Sequence, residues 1–305
     1  MKKKDLITIR DMSSREIFDI LKLARKLKKT PLARKRVFKD KILALLFQKP
    51  SNRTRISFEV AMVQLGGYVL YLSPGEIEMG TRESVRDVGC VVSRYVDGMV
   101  ARVFSHRDIT GLARYSDVPV INGLSDRAHP CQALSDIFTI REKMKTLKNV
   151  TLSYVGDGNN VLNSLLMVCA KTGVNMRIAT PEGYRPPKDI FDEASKIAGS
   201  NKAVFELFSD PYEAVKGSDI VYTDVWVSMG QEEGRQKRLR DFEGFQVNAR
   251  LMSAAKEDAL IMHCLPAHRG VEITDVIDGK NSIVYDQAEN RMHVQKAILL
   301  RMLGK

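Results

Sequence analysis

The chain has 305 residues, of which 44% are hydrophobic and 28% charged, and its formal net charge is +11. At about 150 residues per domain, this length predicts two domains. The ordinary composition excludes a disordered chain, a collagen-like repeat and a coiled-coil rod, and no apolar run approaches the roughly 18 residues of a membrane span. The positive charge predicts an anionic partner, namely a nucleic acid, a membrane surface or a phosphorylated small molecule.

The N-terminus and the cysteines indicate the compartment. The chain starts with Met-Lys-Lys-Lys-Asp, and neither an apolar segment nor a small-residue cleavage site follows. No secretory signal is therefore visible, and we expect a cytoplasmic protein. Cys90, Cys131, Cys169 and Cys264 form no Cys-x-x-Cys pair, which argues against a zinc knuckle and against a disulfide framework. We expect reduced thiols that lie mostly in the core.

Strands and helices alternate along the first half of the chain. An apolar run at residues 42–47 predicts a buried strand, and the periodic segment 53–65 predicts a helix that ends at Gly66-Gly67. The further elements predicted here are strands at 68–72, 98–103 and 119–122 and helices near 85–95, 108–115 and 130–144. The polar stretch 145–149 is a plausible domain boundary.

The second half repeats this alternation. Its predicted elements are strands at 150–155, 174–179, 220–223 and 259–262 and helices at 161–172 and about 287–303. We therefore predict an α/β protein of two domains, each a mostly parallel sheet flanked by helices, with the C-terminal helix packing back on the first domain. The predicted domains are residues 1–144 with the helix at about 287–305, and residues 145–286.

A candidate anion site lies between the first strand and its helix, at Pro50-Ser51-Asn52-Arg53-Thr54-Arg55. Ser51 or Asn52 can cap the helix, whose free N–H groups and two arginines would then face an anion. The alternative is a pair of solvated arginines beside an ordinary cap. Cations oppose the dipole at a helix N-terminus, which favours a bound negative group between them.

A second candidate is Ser125-Asp126-Arg127-Ala128-His129-Pro130-Cys131-Gln132, again after a strand and before a helix. Pro130 suits the first helical position, so His129 and Gln132 can project from one helix start. The residue pattern alone favours an ordinary histidine over a catalytic one.

The segment Gly156-Asp157-Gly158-Asn159-Asn160 follows a strand, as a dinucleotide-binding fingerprint does. Val161 replaces the third glycine and Thr180, not an acid, follows the next strand, so a nicotinamide-dependent dehydrogenase is weakly supported. The asparagines are candidates for binding another polar ligand.

Two further segments follow strands in the second half. Asp224, with Ser228-Met229-Gly230, offers a carboxylate for a substrate ammonium or an ordinary helix cap. In His263-Cys264-Leu265-Pro266, adjacent side chains of an extended segment point to opposite faces, so a polar contact by Cys264 is favoured over a Cys-His dyad. A metal site is not expected, because no nearby acid or second thiol completes a ligand set.

Taken in chain order, these motifs resemble the aspartate/ornithine carbamoyltransferase family from about residue 5 to the C-terminus. Ser51-x-Arg53-Thr54-Arg55 and His129-Pro130-Cys131-Gln132 are similar to the signature of the whole family. Ser228-Met229-Gly230 and His263-Cys264-Leu265-Pro266 are similar to the ornithine branch.

The resemblance implies that carbamoyl phosphate and L-ornithine give L-citrulline and phosphate in arginine metabolism, without metal or organic cofactor. It implies catalytic roles for Arg102, His129 and Cys264. It implies carbamoyl phosphate contacts from Ser51, Arg53, Thr54, Arg102, His129, Gln132, Cys264, Leu265 and Arg291. It implies ornithine contacts from Asn160, Asp224, Ser228 and Met229. It also implies a homotrimer or an assembly of trimers, with sites at subunit interfaces.

One position departs from the family. A glutamine or histidine from a neighbouring subunit usually contacts carbamoyl phosphate, and this chain has Glu78 where that residue is expected. A carboxylate facing an anion is unfavourable unless Arg82 pairs with it. We therefore expect either a shifted loop or a role for Arg82.

Three rival functions stay open at this point. A sister enzyme would carbamoylate putrescine, N-acetylornithine or aspartate, and Asp224 suits an ammonium better than a dicarboxylate. A nucleic-acid-binding protein is supported only by charge, because the basic residues are scattered and aromatic residues amount to 7%. The third is the dehydrogenase. The carbamoyltransferase interpretation predicts that neither a nucleic acid nor a membrane is a partner.

Overall fold

The computed structural model describes residues 4–30, 36–227 and 234–304. The chain forms two compact units, Met1–Phe138 with Asn290–Lys305, and Thr139–Glu289. Each unit contains one parallel sheet flanked by helices, which confirms the predicted α/β class. No helix of the described part combines the length and the apolar character needed to cross a bilayer.

The first unit has a four-stranded sheet. Its strands are β1 (Ile42–Phe47), β2 (Tyr68–Leu72), β3 (Gly98–Arg102) and β4 (Val120–Leu124), and their order is β2-β1-β3-β4. All neighbours are parallel. β1 is an unbroken apolar run because it lies between two strands with both faces covered. β2 lies at an edge and is partly exposed.

Six α-helices begin in the described part of the first unit: α1 (Ser14–Lys29), α2 (Asn52–Gln64), α3 (Pro74–Ile77), α4 (Val85–Val92), α5 (His106–Tyr115) and α6 (Pro130–Met144). α4 ends before the predicted 95, and α5 begins two residues before the predicted 108. α1 is not among the predicted helices, although Ser13 and Glu16 form a capping box that marks its start.

The second unit has a five-stranded sheet. Its strands are β5 (Thr151–Val155), β6 (Asn175–Ala179), β7 (Phe205–Phe208), β8 (Ile220–Thr223) and β9 (Leu260–His263), and their order is β7-β6-β5-β8-β9. The helices that begin here are α7 (Asn160–Thr172), α8 (Lys188–Ser200), α9 (Pro211–Val215), α10 (Arg235–Asp241), α11 (Ala249–Met252) and α12 (Val284–Leu303). All paired strands are parallel.

The C-terminal helix α12 returns to the first unit, as predicted. Its residues from Asn290 onward belong to that unit, where Lys28 Nζ donates to Asn290 Oδ1 at 2.9 Å. The two unit boundaries fall inside α6 and α12. They lie a few residues from the domain limits at 144–145 and 286–287 that the sequence indicates.

The strand order of each sheet identifies where a ligand is expected. In the first sheet the connections go to one side of β1 and then to the other, so the winding reverses between β1 and β3. In the second sheet the same reversal lies between β5 and β8. Ligands of open parallel sheets bind outside the carboxyl ends of the strands at such a reversal.

Candidate active site

The segment after β1 forms a cap on α2. Ser51 is the N-cap residue, and its side chain accepts a hydrogen bond from Thr54 N at 3.4 Å. The first turn contains no acidic residue, so no side chain of the helix itself neutralises the positive end of its dipole. Thr54 is buried, and its Oγ1 accepts a hydrogen bond from Arg291 Nη2 at 2.8 Å.

Arg55 does not join this group. Its Nε donates to Glu59 Oε1 at 2.9 Å, and its guanidinium lies 3.8 Å from the centre of the Tyr71 ring. The side chain is exposed and already has a carboxylate partner. In this structure the guanidinium of Arg55 binds Glu59, and its contact with an anion stays a prediction.

His129 is buried in a strongly positive environment. It precedes α6, while Arg102 is the last residue of β3 and Arg291 lies on α12, and all three side chains are at least nine-tenths buried. Burial lowers the pKa of His129 well below its usual range, and the nearby charges of Arg291, Arg102 and Arg53 lower it further. His129 is consequently a neutral imidazole, able to donate a hydrogen bond without carrying charge.

The turn before His129 has its own hydrogen-bond network. Ser125 N donates to Ala128 O at 2.9 Å, and Ala128 N donates back to Ser125 Oγ at 3.2 Å. His106 Nδ1 lies 2.8 Å from the same hydroxyl. Pro130 then opens α6, in the first helical position that the sequence predicts. The turn thus fixes the backbone from which His129 projects.

Gln132 lies in the first turn of α6. Its side chain is 1% exposed, and its Nε2 donates to Asp136 Oδ1 at 2.8 Å. Its Oε1 has no hydrogen-bond partner among the residues that the structure describes. A buried carbonyl oxygen without a donor is costly, so it marks a place where a ligand N–H or O–H can bind.

Lys49 is a further cationic residue near the candidate site that the sequence motifs do not include. This lysine is buried, and its Nζ lies 4.7 Å from the centre of the Phe104 ring. Burial lowers its pKa, as does the charge of Arg102, while Asp126 opposes the shift. The only sequence signal was its position directly before the Pro50–Arg55 segment. It adds a positive group to the side of the first unit that holds Arg102.

In the second unit, Asp224 follows β8 and binds side chains that follow two other strands. It is buried at the end of β8, and its Oδ2 accepts from Asn159 Nδ2 at 2.8 Å. Its Oδ1 accepts from Cys264 Sγ, also at 2.8 Å. Asn159 follows β5 and caps α7, and Cys264 follows β9. These residues surround the winding reversal of the second sheet with a carboxylate, an amide and a thiol.

Both ring nitrogens of His263 contact residues other than Cys264. Its Nδ1 accepts a hydrogen bond from Leu265 N at 2.8 Å, and its Nε2 lies 3.3 Å from Glu272 Oε1. Burial raises the pKa of Glu272, but hydrogen bonds from His263 and from the backbone of His268 outweigh it, so the net pKa is lowered. Leu265 has a φ of 59°, a left-handed conformation that is unusual for a branched residue. The bond to His263 holds it there.

The second unit brings together three possible metal ligands that the sequence did not indicate. Ligand atoms of Asp224, His263 and Cys264 lie within 4.8 Å of one another. The statement that no acid lies near His263 and Cys264 is therefore wrong. These donor types do bind zinc, but both nitrogens of His263 already face partners within the protein, namely Leu265 N and Glu272.

Packing and hydrogen bonds within the second unit fix the Gly156–Asn160 segment. A Cβ on Gly158 would lie 2.5 Å from the backbone of Arg185 and Pro186, so this glycine is required by internal packing. Arg238 Nη1 donates to Asp157 Oδ2 at 3.0 Å and to Trp226 O at 2.7 Å. Asn160 is the first residue of α7 and is partly buried.

Other predicted contacts are placed as follows. Ser228 and Met229 lie outside the described residues. Glu78 is exposed with a φ of 34°, and the described ion-pair partner of Arg82 is Glu83, whose Oε1 lies 3.6 Å from Arg82 Nη2. In the described structure Arg82 therefore pairs with Glu83 and not with Glu78.

Comparisons with known proteins cover almost the entire chain. The family model of the aspartate/ornithine carbamoyltransferase carbamoyl-P binding domain matches residues 4–142. The model of the Asp/Orn binding domain matches residues 148–302.

Relatives and solved structures agree with these models. The ornithine carbamoyltransferase of Pyrococcus horikoshii is 50% identical, over 100% of this chain and 97% of that relative. The anabolic ornithine carbamoyltransferase of Pyrococcus furiosus is 50% identical, over 99% of this chain and 96% of the relative. A solved structure of the Pyrococcus furiosus enzyme has a TM-score of 0.95 at 50% identity and covers 99% of this chain and 97% of its own. By sequence and by fold, the chain belongs to the aspartate/ornithine carbamoyltransferase family.

Proposed function

We propose that this protein is an ornithine carbamoyltransferase, which transfers the carbamoyl group of carbamoyl phosphate to the δ-amine of L-ornithine and releases L-citrulline and phosphate. The observation that carries the proposal is the buried group of Thr54, Arg102, His129 and Arg291 in the first unit. These residues lie in the segments that match the family over the full chain, and they form a strongly cationic site that also contains a neutral donor.

The first unit is the carbamoyl phosphate-binding domain in this proposal. Ser51, Arg53 and Thr54, with Arg102 and Arg291, bind the phosphate through charged donors and the N-terminus of α2. Arg102, His129 and Thr54 donate to the carbonyl oxygen. Gln132 accepts from the carbamoyl amino group through the Oε1 that has no described partner.

The second unit is the ornithine-binding domain. Asp224 provides the buried carboxylate that the α-ammonium of an amino acid requires. Asn160, Ser228 and Met229 complete the contacts to the amino acid end. Cys264 and Leu265 lie beside the reacting amine and the carbamoyl group.

The proposed chemistry is positioning with electrostatic stabilisation. The neutral δ-nitrogen attacks the carbamoyl carbon, a C–N bond forms, and negative charge develops on the carbonyl oxygen near Arg102 and His129. The carbonyl then re-forms as the C–O bond to phosphate breaks, and the attacking nitrogen loses one proton, which the released phosphate takes up. Arginine side chains stabilise the departing phosphate, so no step in this sequence requires a metal or an organic cofactor.

An assay of carbamoyl transfer against a panel of acceptors tests the proposal. Citrulline is the expected product with ornithine, whereas putrescine, N-acetylornithine and aspartate should react at least about a hundredfold more slowly, because each lacks a group that the site binds or adds one that it repels. If one of these acceptors reacted faster than ornithine, the protein would be assigned to a sister activity.

The Pyrococcus furiosus relative is named an anabolic enzyme, which supports a role in arginine synthesis.

We also propose a homotrimer or an assembly of trimers. The first unit exposes apolar side chains on α2 and on the edge strand β2, namely Ile56 (57% exposed), Val63 (65%), Tyr68 (64%) and Leu70 (50%). Several large apolar side chains exposed on one helix and on an edge strand favour a subunit interface at this surface.

The cysteines are free thiols, in keeping with the reducing cytoplasm that we propose as the location.

A further inference from the structure

The amide of Gln132 has a defined orientation, and Asp136 is the residue that defines it. Both side chains lie on α6, one helical turn apart, and they are 1% and 0% exposed. Gln132 Nε2 donates to Asp136 Oδ1 at 2.8 Å. A carboxylate only accepts hydrogen bonds, so it binds the NH2 end of the amide and directs the carbonyl end elsewhere.

The carbonyl end of the Gln132 amide is available to a ligand. Oε1 of Gln132 has no hydrogen-bond partner in the described part of the chain. Rotating the amide by half a turn would bring two oxygens together at Asp136, which is strongly unfavourable in a buried site. Gln132 is therefore fixed as an acceptor and cannot present its NH2 group to the same ligand atom.

We propose that Asp136 is a positioning residue for substrate specificity: it holds Gln132 as an acceptor, so that the site selects the amino group of carbamoyl phosphate over the methyl group of an acyl phosphate. This inference rests on the proposed function. Acetyl phosphate has the same phosphate and carbonyl as carbamoyl phosphate but has a methyl group in place of the NH2. It can satisfy the arginines and His129, and it leaves Oε1 of Gln132 buried without a donor.

The experiment compares the two compounds in purified wild-type and variant proteins. The KM of carbamoyl phosphate is measured in citrulline formation, and the Ki of acetyl phosphate is measured as a competitive inhibitor. The ratio of Ki to KM reports recognition of the amino group alone, because effects on the phosphate site cancel. Asp136→Ala is expected to lower this ratio about tenfold, mainly by raising KM, since one buried hydrogen bond is lost or misdirected.

Two further variants separate positioning from general damage. Asp136→Asn keeps an oxygen that accepts from Gln132 Nε2, so it should retain the ratio within about threefold. In a Gln132→Met background the ratio is already low, and adding Asp136→Ala should change it by less than about twofold, because a residue that acts through Gln132 has nothing left to orient. If Asp136→Ala does not fold, Asp136→Leu fills the site without an acceptor and carries the same expected tenfold loss.

Asp108 offers a matched control. Its Oδ2 accepts from Gln48 Nε2 at 2.9 Å, which is the same type of glutamine–carboxylate bond in the same unit. Asp108→Ala should leave the ratio unchanged. The inference is overturned if Asp136→Ala weakens both compounds by the same factor, or if its effect on the ratio persists in the Gln132→Met background. Absence of citrulline formation by the wild-type protein would instead reject the proposed function itself.

Discussion

Arg291 Nη2 donates a 2.8 Å hydrogen bond to Thr54 Oγ1 although the two residues are 237 positions apart in the chain. The bond joins the C-terminal helix α12 to the first turn of α2, where the proposed phosphate site begins. The return of α12 to the first unit therefore supplies a buried cation to that site, besides completing its core.

Replacing Arg291 by methionine should impair carbamoyl phosphate binding selectively. The variant keeps much of the buried volume and removes a charged donor and the bond to Thr54, so we expect the KM of carbamoyl phosphate to rise about tenfold or more, with the KM of ornithine within about twofold. Arg301→Met is the control, because Arg301 lies on the same helix and its Nη2 donates to Glu16 Oε1 at 3.3 Å. An equal rise in both KM values would contradict the assignment.

Replacing Asp224 by asparagine should impair ornithine binding selectively. Loss of the buried negative charge should raise the KM of ornithine on the order of 30-fold and leave that of carbamoyl phosphate within about threefold. Asp219→Asn is the control, because Asp219 directly precedes the same strand and binds Lys256 and Thr151 N. If Asp224→Asn left ornithine KM and turnover unchanged, the assigned amino acid site would be wrong.

The pH dependence of the reaction should come from the amine and not from His129. Burial and three arginines keep the pKa of His129 well below its usual value, so the ring is neutral and does not titrate between about pH 6 and 9. The attacking amine, with an ordinary pKa near 10, is increasingly deprotonated over the same range. We expect kcat/KM for ornithine to rise with pH and to reach an alkaline optimum.

His129→Gln checks the source of this profile. Glutamine keeps an N–H donor, so the variant should have a lower kcat with the same dependence of kcat/KM on pH. A profile that flattens in the variant would show that His129 is the titrating group. A flat profile of the wild-type protein from about pH 6 to 9 would reject the amine as the source.

The proposed subunit interface can be tested by charge. Analytical ultracentrifugation of the wild-type protein should give three times the chain mass or a multiple of it. Val63→Asp, which adds a charge to the exposed apolar group on α2, should shift the mass towards the monomer. Val204→Asp is the control, because Val204 is similarly exposed, at 59%, in the second unit. A monomeric wild-type protein, or equal shifts in both variants, would contradict the proposal.

Much of the fold could be predicted because central parallel strands and their helices leave a clear pattern. The run at 42–47 is apolar throughout because β1 is covered on both faces. Short edge strands leave a weaker sequence pattern, and β7 was not predicted because none of its four residues is fully buried and one of them, Glu206, is exposed. α1 was not predicted because the many basic residues along it mask the apolar stripe of its buried face, namely Ile17, Ile20, Leu21, Ala24 and Leu27.

The residues of the candidate site also differ in how well the sequence predicts them. Residues that directly follow strands, such as Asp224, could be found from the sequence because strand ends converge at one edge of a sheet. Asp136 could not, because it lies within a helix and its role depends on which end of Gln132 it binds. Sequence spacing also does not tell whether the side chain of Arg55 bends towards a ligand or towards Glu59 and Tyr71, which it contacts in this structure.

In the second unit, the segments after β8 and β9 combine residues of the proposed ligand site with residues that stabilise the core. The strands supply the buried apolar residues, and the segments that follow β8 and β9 supply Asp224 and Cys264. Trp226, two residues after Asp224, is packed in the core of the second unit, so not every position of these segments can change freely. A chemist seeking a new amine acceptor should therefore vary Asp224, Cys264 and their partly buried neighbours, and should keep Trp226 and the strands, because the indole is part of the packing that folds the unit.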